Sequence, residues 1–319
     1  MRKAAAASSL VFFLASAASA LALDKLVMGY TGIGVGAEIH QLAKDAGLFK
    51  KHGLDVEIIY IPAGSTAVQA MVSDQISVGW GNDAAGVVAS YAAGVTLKLT
   101  AVLANKFVYS FVTPAGIARP QDLKGKSVAV SRFGSGSDFI TRMALKSWGL
   151  DAKDVTILQI GNSPARLGAL AAGRVHGSIL SLSQTPRAKK MGLRVLADLS
   201  QIDVEYPQGV VYTTPAFIAK KPDQMLRFTR AYVEAVSLFK TNRQAALPVI
   251  EKYTGLADKE EAAEYYDTFV KHFLQDFPLP STAALRTLLE DVARASPKAK
   301  DLKPQDLVDL RFLNEIKGR

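Results

Sequence analysis

The sequence predicts an α/β protein of two similar lobes, each a mostly parallel sheet flanked by helices, completed by a helical C-terminus. Three observations carry this. Ala43 to Trp80 alternates turn, strand, helix and strand; the same phrase returns between Ser127 and Ile179; and apolar residues recur at helical spacing from Pro222 onward. Strands separated by single helices form βαβ units, and such crossovers give parallel sheets.

In the first phrase, Gly47 and Gly53 punctuate a turn. Leu54 to Ile61 is rich in β-branched and aromatic residues and is bounded by Pro62 and Gly64, as a buried strand is. Ser65-Thr66 can cap a helix over Ala67–Ser73, with Val68, Met71 and Val72 on one face. Ile76–Trp80 reads as the next strand, and Gly81-Asn82-Asp83 opens another helix. Lys25–Tyr30 precedes the phrase as the first strand; Thr96–Leu103 and Phe107–Thr113 follow it.

The pattern then restarts. Ser127–Ser131 leads through Arg132–Asp138 into a helix from Phe139 to Trp148. Gly149-Leu150 and Asp154–Ile160 echo Gly53-Leu54 and Asp55–Ile61, and ALAAGRVHG (169–177) echoes AMVSDQISV (70–78). Duplicated phrases are explained most simply by two lobes. Two extended runs closed by Thr-Pro-Ala, at Pro114 and Pro215, suit the crossings between them, because proline holds the preceding residue extended. Beyond Pro222, Met225, Phe228, Tyr232, Val236 and Phe239 form one helical stripe. Asp258 with Glu261, Ser281, and Pro304 mark three further helix starts. The expected layout is a leader over 1–22, lobe one over 23–113, lobe two over 114–210, and the rest of lobe one with the C-terminal helices over 211–319.

The start of the chain reads as a secretory signal peptide: Arg2-Lys3, the apolar LVFFL, then Ala18-Ser19-Ala20 and Ala20-Leu21-Ala22, both of the A-x-A cleavage type. The mature protein is expected to begin at Leu21 or Leu23, to be soluble and exported, and to be periplasmic. The alternative is an uncleaved anchor.

Composition removes several classes. The chain has 319 residues and no cysteine, which excludes disulfides, thiolate metal sites, a cysteine nucleophile and a lipid-anchored cysteine. Its net charge is +9; without Arg2 and Lys3, 36 basic face 29 acidic residues. The basic residues are dispersed and lack interleaved aromatics, so no nucleic-acid partner is expected. His40, His52, His176 and His272 have no ligand spacing, so neither a metal nor a cofactor is expected.

Two phosphate motifs fail on inspection. Thr31-Gly32-Ile33-Gly34-Val35-Gly36-Ala37 contains G-x-G-x-x-A, but the next strand ends in Tyr60-Ile61 with no acid for a ribose. It reads better as a glycine turn that lets backbone approach a ligand, or as a tight turn only. Gly125-Lys126-Ser127 lacks the first P-loop glycine, since Pro120 stands there, and it precedes a strand. A G-x-S-x-G nucleophile elbow is absent, because Gly134-Ser135-Gly136-Ser137 has the wrong order.

The phrase AKDAGLFKKHGLDVEII (43–59), QISVGWGN (75–82), Gln121–Lys126 and ALAAGRVHGSI (169–179) resemble the periplasmic substrate-binding proteins of ABC importers for nitrate, taurine, alkanesulfonates and thiamine-precursor pyrimidines. The likeness spans most of the chain after residue 24. The family has glycine at the position of Asp74 and aspartate at those of Ser77 and His176. The resemblance implies a type II-like binding-protein fold with two hinge crossings. It also implies a monomer that carries a small solute, expected to be anionic, to an inner-membrane permease with its ATPase. A periplasmic ligand-sensing receptor is the alternative, and a pyrimidine-synthase-like enzyme a more distant one, lacking here the cysteine-rich motif of those synthases.

In parallel sheets ligands bind beyond the strand carboxyl ends. The expected site therefore takes Tyr30, Thr31, Ser65, Thr66, Trp80, Asn82 and Asp83 from lobe one, and Arg132, Ser135, Ser137, Asn162, Ser181 and Ser183 from lobe two. Helix capping is the other reading of Ser65, Asn82, Ser137 and Ser183. Arg132 is the sharpest candidate, because a guanidinium suits sulfonate or carboxylate. Asp83 disfavours a bare anion and leaves an amine-bearing ligand such as taurine open.

Overall fold

A computed structural model describes residues 22–61, 64–256 and 258–318. The leader expected over 1–22 falls almost wholly outside them. Ten strands form two sheets. They are β1 (Asp24–Tyr30), β2 (Leu54–Tyr60), β3 (Val78–Asp83), β4 (Lys98–Ala104), β5 (Tyr109–Thr113), β6 (Ser127–Val130), β7 (Thr156–Gln159), β8 (Gly177–Ser181), β9 (Arg194–Asp198) and β10 (Gln208–Thr213). One sheet has the order β2-β1-β3-β10-β4, the other β7-β6-β8-β5-β9.

The two sheets repeat one plan. Parallel pairing joins β1 to β2 and β3, and β6 to β7 and β8. A single strand runs the other way in each, β10 between β3 and β4 and β5 between β8 and β9. Each sheet is thus mixed, with four strands in one direction. The odd strand has a simple origin. It enters its sheet at the carboxyl ends of the others, having just crossed from the facing lobe, and can only run away from them.

This places the crossings earlier than the proline signals suggest. β5 already lies in the second sheet and β10 in the first, so the chain changes sheet over 105–108 and 199–207 rather than at Pro114 and near Thr213. The prolines close strands after they have paired. At the crossings, Tyr206 N donates to Asn105 O at 3.0 Å, and Ser281 N donates to Asn105 Oδ1 at 3.0 Å.

The repeat extends to turns. Asp74 takes a left-handed φ of 57°, matching Gly173 at 66° in the second phrase. Aspartate tolerates this conformation better than most residues. The helix Pro222–Thr241 buries Met225, Phe228, Tyr232, Val236 and Phe239 against the first lobe. Asp258 caps Lys259–His272, accepting from Glu260 N at 2.9 Å, and Ser281 caps Thr282–Ala295. Pro304 opens only a short 3-10 turn; the last α-helix is Arg311–Lys317. Among the described residues, no helix is long and apolar enough to cross a membrane.

Candidate functional site

The strand ends of the two lobes face each other across a cleft of about 190 Å³. The first lobe supplies Thr31, Gly32 and Ile33 after β1, Tyr60 at the end of β2, Asn82 and Asp83 at the end of β3, and Tyr212 from β10. The second supplies Tyr109 from β5, Ser131, Arg132, Ser135, Gly136 and Ser137 after β6, and Gly161 to Pro164 with Arg166 after β7.

Two helices of the second lobe begin at this cleft. Ser135 caps Gly136–Ser147, and Asn162 caps Ser163–Ala171, its Oδ1 accepting from Ala165 N at 3.0 Å. The hydroxyls of Ser131, Ser135 and Ser137 lie within 2.9 Å of one another. Serine spacing explains why: Ser131 ends the strand and the other two flank the helix start, where their oxygens meet backbone donors. Helix N-termini carry partial positive charge and free N–H groups, so this wall favours acid groups.

Arg166 is the strongest charge in that wall. It is 3% exposed, yet no carboxylate lies within ion-pair distance among the described residues. Its Nε donates to Ser178 Oγ at 3.1 Å and to Ile179 O at 3.2 Å, Nη2 to Ile179 O at 3.0 Å, and Nη1 to Gly161 O at 2.6 Å. Burial lowers its pKa to about 10, against smaller opposing effects of Tyr109 and Asp83. A guanidinium has five N–H donors, so one on each Nη has no acceptor among the described residues. A desolvated cation that faces a cleft without a counter-ion is prepared for an incoming anion.

Across the cleft, Asp83 is half-buried, and burial raises its pKa. Its Oδ1 accepts from Ala85 N at 2.9 Å and its Oδ2 from Tyr109 Oη at 3.2 Å. Gly136 approaches so closely that a Cβ there would overlap the Asp83 carboxyl. Tyr212 Oη and Asn82 Oδ1 are buried without a partner among the described residues. Tyr212 fits only because its ring lies on Gly79, where a Cβ would overlap it.

Of the residues the sequence assigns to the site, Thr31, Asn82, Asp83, Arg132, Ser135, Ser137 and Asn162 line the cleft. Six do not. Tyr30 packs behind Tyr60, ring centroids 5.2 Å apart, and Tyr60 takes the lining position. Ser65 and Thr66 lie inside a helix that already starts at Gly64, and point to solvent. Trp80 is fully buried against the His40 ring at 5.6 Å, as its large apolar surface favours. Ser181 and Ser183 are fully buried, bonded to each other at 3.2 Å, and Ser183 crowds Gly34 across the seam between lobes. Ser137 does not cap its helix; it accepts from Ser131 N at 2.8 Å, and Ser135 is the cap.

The model of the family described as "NMT1/THI5 like" matches residues 40–246, about two thirds of the chain. The chain belongs to the NMT1/THI5-like family. A Brucella abortus (strain 2308) protein provisionally named a binding protein is 26% identical over 231 residues, 71% of this chain and 70% of that one. The alkanesulfonate-binding protein SsuA of Xanthomonas axonopodis pv. citri, solved bound to MOPS, superposes with a TM-score of 0.70 at 18% identity, covering 89% and 94% of the two chains. The desulfurization enzyme DSZB superposes with 0.64 at 17% identity, covering 93% and 100%. At these identities the structural likeness speaks for the fold.

Within this NMT1/THI5-like chain, the residues that sequence reasoning missed are Tyr60, Tyr109, Ser131, Ser163, Arg166 and Tyr212. Arg166 had a readable signal. In Ser163–Ala171 the positions 163, 166, 167 and 170 share one face, and Leu167 and Leu170 mark it as buried. An arginine on that face is out of place unless it meets an acceptor. Tyr109 and Tyr212 had none, because each belongs to the strand that crosses between lobes.

Proposed function

We propose that this chain is an extracytoplasmic solute-binding protein. It takes a small solute with an acid group into the cleft between its lobes and presents it to an inner-membrane permease driven by an ATPase. The observation that carries the reading is Arg166, buried in the cleft wall with donors to spare and no protein counter-ion among the described residues. The two helix N-termini beside it act in the same direction. The binding roles named for the Brucella and Xanthomonas proteins agree with it. So does the leader-like start of the chain, which favours export to the periplasm.

Binding rather than catalysis fits the lining. Cysteine is absent from the whole sequence; of the four serines at the cleft, Ser131, Ser135 and Ser137 bond to one another and Ser163 Oγ accepts from Ser181 N, and none meets a histidine among the described residues. A hydrolase of the Ser–His type uses that pairing.

The test is a thermal-shift screen of the mature protein with nitrate, alkanesulfonates, taurine, pyrimidines and carboxylates. A true ligand at a hundred times its Kd adds about 2.7 kcal/mol of stability. Stabilisation by an acid solute, abolished in the Arg166→Gln variant, is the expected result. Stabilisation by no solute, or turnover of one, would contradict the reading.

A further inference from the structure

The loop after β1 continues past the cleft into a strained turn. Gly34, Val35 and Gly36 take left-handed φ angles of 80°, 56° and 89° in succession. Glycine adopts such angles freely, but a β-branched residue holds one only where its surroundings impose it. Here they do. A Cβ on Gly36 would meet Leu103 of β4 and Phe269 of the helix Lys259–His272, and one on Gly209 of β10 would crowd Val35 O. The Gly36 N–H donates to Tyr265 Oη at 3.2 Å, and that hydroxyl donates to Glu38 Oε1 at 2.5 Å. Val35, Glu38 and Tyr265 are all buried, and the Tyr265 ring stacks on Phe269 at 5.7 Å.

The other side of the turn faces the second lobe. A Cβ on Gly34 would fall 2.4 Å from Ser183 Oγ, so the backbone itself is the contact surface. Ser183 Oγ lies 3.2 Å from Ser181 Oγ, and Ser181 N donates to Ser163 Oγ at 2.9 Å. Ser163 opens the helix that carries Arg166, and Arg166 donates to Ile179 O just before Ser181. Close contacts thus run from Tyr265 to the wall that holds Arg166. The helix of Tyr265 also reaches the second lobe directly, where Lys189 Nζ donates to Glu264 Oε1 at 2.6 Å.

We propose that Tyr265 is a positioning residue for solute binding: its hydroxyl pins the left-handed turn of the first lobe against Ser183 of the second. The seam so formed fixes how the two walls of the cleft meet, although Tyr265 itself lies outside the cleft lining. Without the hydroxyl the Gly36 N–H loses its acceptor, and the strained turn is free to relax away from Ser183. The binding role rests on the solute-binding reading above, but the seam is measured without any solute. Its failure therefore leaves that reading standing.

The chain has no cysteine, so two can be introduced to carry spin labels. Gln69 and Lys146 are exposed on the helices Gly64–Val72 and Gly136–Ser147, whose first residues line the cleft from opposite lobes. The experiment is the pulsed-EPR distance between labels at Gln69→Cys and Lys146→Cys, together with amide hydrogen exchange by NMR on the mature protein. In Tyr265→Phe the ring and its stacking remain. The Gly36 amide should exchange about tenfold faster than in the wild type, the worth of one buried hydrogen bond. The Ser181 amide, in the other lobe, should speed up with it, and the distance distribution should broaden.

The control is Tyr266→Phe, which removes a buried hydroxyl of the same helix that donates to Phe239 O at 3.0 Å. It should leave Gly36, Ser181 and the distances as in the wild type. Equal changes in both variants would make Tyr265 merely structural and overturn the proposal. So would a faster Gly36 amide with Ser181 and the distances unchanged, because the seam then does not depend on the pin. Should Tyr265→Phe not fold, Ser183→Gly reads the seam from the second lobe: broadened distances are expected, and unchanged ones overturn the proposal. A Gly36 amide unprotected in the wild type overturns it without any variant.

Discussion

The Tyr109 hydroxyl donates to Asp83 Oδ2 at 3.2 Å, and the two residues belong to different sheets. Their bond spans the cleft beside the first crossing. Burial raises the Asp83 value, while the Ala85 N–H and the Tyr109 hydroxyl each lower it. In Tyr109→Phe the carboxyl loses a donor, and the lobes lose a tie. Solute affinity is expected to fall by up to about 1.5–3 kcal/mol, the range for a bond to a charged acceptor, as read by calorimetry. Unchanged affinity would show that the bond plays no part in closure.

Gly136 tests closure by shape. A Cβ there meets the Asp83 carboxyl, which belongs to the other lobe, while its backbone conformation is one that any residue can adopt. Alanine also suits a helix start better than glycine does. Against that gain, the added Cβ must displace the Asp83 carboxyl or part the lobes, so Gly136→Ala should melt no higher than the wild type and bind the solute at least about tenfold more weakly. Equal binding would mean that the lobes do not come this close around a ligand.

Arg132 and Arg166 line the same cleft but differ in setting. Arg132 is exposed and makes no side-chain hydrogen bond or ion pair among the described residues. Its removal in Arg132→Ala should change folding by less than about 0.5 kcal/mol. Binding should weaken by no more than about 1 kcal/mol, because solvent screens a rim charge. A loss from Arg132→Ala larger than that from Arg166→Lys would reverse the two roles.

Glu38 gives a pH dependence remote from the cleft. It is 1% exposed, and burial raises its pKa to about 7 from an ordinary 4.5, partly offset by the Tyr265 hydroxyl donating at 2.5 Å. The folded state thus favours the protonated acid. That stabilisation is full below about pH 4.5 and is lost as pH rises through about 7. It amounts to at most about 3 kcal/mol at 1.36 kcal/mol per unit. His40 opposes it: burial lowers its pKa to about 3, so its contribution is full above its unfolded value of 6.5 and is lost as pH falls from there towards about 3. Comparing melting curves of wild type and Glu38→Gln from pH 5 to 8 isolates Glu38. The variant should gain on the wild type as pH rises; parallel curves would place the Glu38 titration outside this range.

Much of this fold was legible because its strands carry local signals. The βαβ phrases from Leu54 to Asp83 and from Ser127 to Ser181 are bounded by glycines and capping residues, and they set the loops after β1, β3, β6 and β7. Those loops supply Thr31, Asn82, Asp83, Arg132, Ser135, Ser137 and Asn162 to the cleft. What the sequence could not show is long-range pairing. An extended run such as Tyr109–Thr113 pairs equally well with either sheet by its own residues, so the crossings, and with them Tyr109 and Tyr212 at the cleft, stayed hidden. Trp80, Ser181 and Ser183 were misplaced for a related reason. Trp80 was read as a strand end, but β3 runs on to Asp83; Ser181 ends β8 and Ser183 follows it; and the neighbours that bury them come from other parts of the chain, His40 against Trp80 and Gly34 against Ser183.

The central claim is that Arg166 receives the acid group of a solute held between the lobes. A crystal structure of the mature protein grown with the tightest ligand from the screen tests it most directly. The predicted result is density in the cleft with an acid oxygen about 2.7–3.2 Å from Nη1 or Nη2 of Arg166. Density in the second crevice, between Lys189 and Glu264, with the cleft holding only water, would contradict it.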